Sequence, residues 1–167
     1  MKKNVHRSKL VKILTIAFMI ILISVDIYLI IQMAAKNGSY TLNAILILII
    51  TATIIGSYGY APMSVHLTDS AFILCRGIGK KVINYADIVV VDIYNNEGVS
   101  IRVCGIGGVF GFIGKFYNKS IGNYFSYVGD YSQAIYMQLK NGRKYVFSCA
   151  DREYVVFFIK KKLGHLK

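Results

Sequence analysis

The chain has 167 residues, is 55% hydrophobic, and carries 20 Lys/Arg against 8 Asp/Glu for a formal net charge of +12. A mean hydropathy of +0.50 is too high for an ordinary soluble domain. Cys75, Cys104 and Cys149 form no C-x-x-C pair, and His6, His66 and His165 show no ligand spacing. This argues against a zinc site and for free thiols packed as small apolar residues.

In chain order, a basic N-terminus over 1–12 holds Lys2, Lys3, Arg7, Lys9 and Lys12. Two apolar runs follow, 13–35 with Asp26 as its single charge and 42–60 with none, joined by the short connection 36–41. A hydrocarbon core about 30 Å thick needs roughly 20 apolar residues at a helical rise of about 1.5 Å. The predicted reading of 13–61 is therefore a transmembrane helical hairpin. Basic residues stay on the cytoplasmic side. That rule puts the N-terminus and everything after the second span in the cytoplasm. A cleaved signal peptide fits poorly, because the first apolar run is too long and is followed by a second. Asp26 lies near mid-span, where an unpaired carboxylate costs several kcal/mol. At matching depth on the second span, Thr51 and Thr53 are its expected hydrogen-bond partners. Ala52 and Gly56 would allow close helix approach or self-association.

Pro62 should end the second helix. Residues 62–167 are enough for one domain with its own core. No low-complexity linker precedes it, so it should sit close to the membrane face. Its pattern is strand-rich: 65–68, 71–76, 80–84, 88–94, 99–104, 134–140 and 144–147, with turns at Asp69-Ser70, at 77–79, at 95–98 and at Asn141-Gly142. Ser148 is the expected cap of a C-terminal helix over 150–163, with Asp151 and Glu153 in its first turn and Lys160, Lys161 and Lys162 in its last. Tyr154, Val155, Phe157, Phe158 and Ile159 are its expected buried face. About seven strands and one closing helix describe a PH-like barrel of two near-orthogonal sheets. Pattern alone leaves an OB-type barrel or a sandwich open.

The stretch 105–127 is the most distinctive. Gly105, Gly107, Gly108, Gly111 and Gly114 are interleaved with Phe110, Phe112, Phe116, Tyr117, Tyr124, Phe125 and Tyr127, and Lys115 and Lys119 supply charge. It is no phosphate cradle. Five residues separate Gly108 from Gly114 where a Walker loop has four, and Phe116 follows Lys115 where Ser or Thr is needed. Two readings stand: an ordered excursion packed on the barrel, or a loop that touches the bilayer, a partner or a ligand. Its candidate binding residues are Phe110, Phe112, Lys115, Phe116, Tyr117, Lys119 and Tyr124.

Ile83-Asn-Tyr85-Ala-Asp87-Ile88, the Gly-aromatic run from Gly105 to Asn118, Ile121-Gly122-Asn-Tyr124, Asn141-Gly142 and Tyr145-Val-Phe-Ser148 together resemble the bacterial PH-domain family over about 62–163. The resemblance implies a PH-like fold beside membrane spans and supplies no reaction or ligand.

Residues 61–167 carry 14 Lys/Arg and 7 Asp/Glu, a net +7. Under an anionic leaflet, each nearby cation gains about 1 kcal/mol. Lys80, Lys81 and Lys160–Lys162 are the candidate membrane-facing cations. No recognition helix or aromatic RNA motif points to nucleic acid. No catalytic constellation, cofactor motif or metal-ligand set appears. The expected function is a membrane-anchored, non-catalytic binding module for a protein partner or lipid headgroup. The alternative is a structural subunit of a membrane complex.

Overall fold

The computed structural model describes residues 1–36, 38–95 and 100–165. Asn37 of the expected 36–41 connection, 96–98 of the expected turn, Val99 at the head of an expected strand, and 166–167 lie outside the described residues.

Two long helices come first: α1 (Lys9–Ala34), capped by the Ser8 hydroxyl accepting from Val11 N, and α2 (Tyr40–Tyr60), capped in the same way by Ser39. Both are long and apolar enough to cross a membrane. Neither has a polar face. Val11 and Leu29 are the buried residues of α1, Ser57 and Gly59 those of α2. The Asp26 to Thr51/Thr53 hydrogen bond is not formed. Thr53 Oγ1 donates to its own helix at Ile49 O (2.8 Å), as hydroxyls in apolar helices do. Thr51 is exposed, and Asp26 Oδ1 is shut from solvent with no partner among the described residues.

The remainder folds as two sheets closed by a helix. The first sheet is β1 (Lys2–Asn4), β2 (Pro62–Leu67), β3 (Ala71–Arg76) and β4 (Lys80–Asn84), in that order and antiparallel throughout. The second contains β5 (Ile88–Ile93), β6 (Ile101–Gly107), β7 (Phe112–Asn118), β8 (Gly122–Val128), β9 (Ala134–Leu139) and β10 (Lys144–Ser148), ordered β5-β9-β10-β8-β7-β6. Only β10–β8 is parallel. Between the sheets lie Val65, Leu67, Phe72, Leu74, Ile83, Met137 and Phe147, against which α3 (Arg152–His165) sets Val155, Val156 and Ile159. The expected PH-like order of strands and then a helix is present.

Four local expectations are corrected. The 105–127 stretch is not a loop: β7 and β8 occupy most of it as inner strands of the six-stranded sheet. Lys2–Asn4 of the basic N-terminus, where no strand was expected, pairs with Ser64–His66 as β1. Ser148 does not cap α3; it ends β10, and its hydroxyl accepts from Gly129 N (2.8 Å) while the helix begins four residues later. Finally, Tyr154 and Phe157 face outward, Phe157 at 66% exposure, because the stripe Val155, Val156, Ile159 and Leu163 faces the sheets instead.

Candidate interaction surface

Three connections fix the domain against the base of the helical hairpin. The β3–β4 turn donates Gly77 N to Ala61 O (3.0 Å) and Ile78 N to Gly59 O (2.8 Å), which satisfies carbonyls at the end of α2. A Cβ on Gly77 would collide with Tyr58 O, so the approach requires glycine. After β8, Gly129 O accepts from Ser8 N (3.0 Å) just before α1. The β6–β7 tip reaches α1 itself: Phe110 N donates to Thr15 Oγ1 (2.8 Å), and that hydroxyl donates on to Val11 O (2.7 Å). The Phe110 ring lies edge-on to Tyr58 (5.8 Å between centroids), in a cluster with Ala61, Ile113 and Met19.

The predicted binding residues therefore separate. Phe110 is buried at the hairpin joint. Phe112, Phe116 and Tyr124 face a second core with Tyr94, Val128, Ala134 and Val146. Register puts the rest elsewhere, since directly opposed residues of an antiparallel pair share a face. Ile101 opposes Tyr117. Cys104 opposes Lys115, which opposes Phe125, which aligns with Tyr145. Phe125 stacks on Tyr145 (5.7 Å), and Lys81 Nζ lies over the same ring at 4.6 Å. On this face Ile101 is 59% exposed, Tyr117 40% and Phe125 40%, and Lys115 and Cys104 are also exposed. The expectation of a packed thiol thus holds for buried Cys149 but not for Cys104. The face ends at β6, whose outer edge pairs with no strand among the described residues. Lys119 is exposed in the β7–β8 turn.

The lysine runs are also divided. Lys80 directly follows the turn that holds α2. Lys81 points inward across Tyr145, a common way of blunting an edge strand. Lys160–Lys162 sit away from the hairpin. Lys162 bonds Asp69 (2.8 Å) on the β2–β3 turn, and Lys160 bonds Asp92 (3.3 Å). Asp69 follows the end of β2 opposite to Pro62, one six-residue strand or about 20 Å from where α2 enters. Of the expected membrane-facing cations at the end of α3, Lys160 and Lys162 are thus engaged in ion pairs within the domain. The Lys162 ammonium holds the exposed Asp69 carboxyl below its usual range.

Behind the exposed face, Tyr94, Tyr124 and Tyr131 pack ring against ring with centroids 6.0–6.1 Å apart for Tyr94 to its two neighbours. Tyr124 and Tyr131 share a hydroxyl contact of 3.4 Å. Burial pushes Tyr94 and Tyr124 up to about 12. These folded values lie above the unfolded value of about 10. The stability they confer is complete below pH 10 and is lost as pH rises from 10 to 12. A phenolate absorbance titration should show a late set of tyrosines that ionises only as circular dichroism reports unfolding.

Sequence reasoning missed Thr15, Gly77, Ile78 and Ile101. A threonine in an apolar helix and glycines in a tight turn carry no signal of what they will touch. Phe125 stood in the aromatic series, but only strand pairing reveals its face.

The domain matches one family model, described as bacterial PH domain, over residues 63–163. No curated protein matches the chain. No solved structure matches it either. With a C-terminal helix closing two sheets and a family match over most of the chain, this protein belongs to the bacterial PH domain family.

Proposed function

We propose that the chain is a membrane-anchored, non-catalytic binding module of the bacterial plasma membrane. In this reading α1 and α2 span the bilayer, with the N-terminus and the PH-like domain on the cytoplasmic side. The observation that carries the binding role is the joint exposure of Ile101, Tyr117, Phe125 and Lys115 beside the open edge of β6. An open edge recruits an extended segment through main-chain hydrogen bonds, and the neighbouring side chains select it. From 100 to 129 the chain carries Arg102, Lys115 and Lys119 and no Asp or Glu. The fitting occupant is an extended acidic segment of another protein; a second copy of the same face would be repelled. The membrane reading is supported by N- and C-terminal parts that meet on one side of the hairpin, as a two-span topology requires.

The test is photocrosslinking from position 117 in native membranes, with the adduct peptide sequenced. An Asp/Glu-rich segment is expected, with its yield lowered about tenfold by Lys115→Glu, as loss of one charge-assisted contact implies. No adduct from 117, with adducts from probes placed at exposed helix positions such as Ile21 and Leu48, would overturn it in favour of a structural subunit.

A further inference from the structure

Where the N-terminal segment meets the start of β2 there is a cleft of about 400 Å³, lined by Asn4, Val5, His6, Arg7, Lys12, Pro62 and Met63. Its position follows from the helices. At about 1.5 Å per residue, the 26 residues of α1 run to roughly 39 Å and the 21 of α2 to roughly 32 Å. Only about 30 Å of hydrocarbon needs to be crossed. The two helices meet at their Ala34 and Tyr40 ends, so the excess is the first turn of α1, which carries Lys9 and Lys12. On the reading that these helices span the bilayer, the cleft opens at the depth of the lipid headgroups.

The cleft's cations are placed and uncompensated. Arg7 is held by uncharged groups: its guanidinium lies 5.7 Å from the centre of the Phe110 ring, and Nη2 contacts Met63 Sδ at 3.4 Å. The four ion pairs among the described residues engage Lys3, Arg152, Lys160 and Lys162, and neither Arg7 nor Lys12. A guanidinium fixed by a ring and a thioether keeps its N–H fork for an anion, and that fork matches phosphate. Lys12 and His6 on the same rim add charge and a further donor. We infer that this cleft seats the phosphate of an anionic phospholipid headgroup.

The test uses the full chain purified in an uncharged detergent, with thermal unfolding followed by circular dichroism. Added phosphatidylglycerol should raise the midpoint, and phosphatidylcholine should not. Lys12→Gln, at an exposed position, and Arg7→Lys, which keeps the charge but loses the fork, should each require about tenfold more phosphatidylglycerol for half the shift. An equal shift from inorganic phosphate would overturn the lipid assignment, as would equal shifts from both lipids or an unchanged response in both variants. An alkaline carbonate wash separates this from the parent reading. Release of the intact chain refutes membrane spanning itself. Retention together with a charge-blind lipid response refutes only the headgroup site.

Discussion

Gly114→Ala should lower the stability of the domain by about 3 kcal/mol or more, roughly 10 °C in thermal midpoint. Gly114 of β7 faces Gly105 of β6, and both hold φ +125, a conformation L-residues rarely adopt. A Cβ on Gly114 would lie within the contact radius of Cys104 O and 2.8 Å from Gly105 Cα. These obstacles are backbone atoms in a paired strand. They cannot rotate away as a side chain would, so relief requires β6 and β7 to separate. Gly105→Ala meets the mirror obstacle at Ile113 O and should cost a similar amount. The control is Gly142→Ala in the β9–β10 turn. That residue also has positive φ, +78, but nothing lies within 4 Å of the added methyl. It should lose only about 1 kcal/mol, the ordinary cost of a left-handed L-residue. Circular dichroism melts of the three variants in detergent would rank them. Equal losses would mean that φ, and not the close approach of the two strands, sets the requirement for glycine.

That glycine pair also explains where the sequence was legible and where it was not. Strands 71–76 and 80–84 fall where β-branched runs and turn chemistry place them, because local pattern and tertiary need agree there. The Asn141-Gly142 turn was readable for the same reason. Within 105–127, glycines that look like loop signals serve as bends and close approaches inside strands, and they mask an alternation of Ile113, Lys115 and Tyr117 against Phe112, Phe116 and Asn118. Lys2–Asn4 carries no strand propensity at all. It becomes a strand because β2 offers an open edge. In α3 the apolar run 154–159 offers more than one buried face, and the sheets select Val155, Val156 and Ile159. The aromatic group was visible as a group, but its division between core and surface depends on register. Linear charge likewise says nothing about which end of a strand a helix terminus will reach, and only the fold pairs Lys162 with Asp69 and Lys160 with Asp92.

Phe110→Ala should loosen the joint between domain and hairpin by about 3–5 kcal/mol, the usual cost of deleting a buried phenyl ring. Phe110 sits at φ +58 and yet is only 8% exposed. A left-handed L-residue costs about 1–2 kcal/mol, so the ring's contacts with Tyr58, Ile113 and Arg7 must exceed that strain. This gives an order that ordinary truncation does not. Alanine removes the ring and keeps the strain, whereas glycine removes both. Phe110→Gly should therefore be the milder variant by about 1 kcal/mol, reversing the usual ranking of alanine above glycine. Thr15→Val tests the other half of the joint. It leaves Phe110 N without its acceptor, at about 1–3 kcal/mol. Because the hydrogen bond and the ring seat the same tip on α1, Thr15→Val combined with Phe110→Ala should fall short of the summed losses by about 1 kcal/mol. Strict additivity, or Phe110→Gly worse than Phe110→Ala, would mean that the tip of β6–β7 only rests beside α1 and that the domain is held by the Gly77 and Gly129 connections alone.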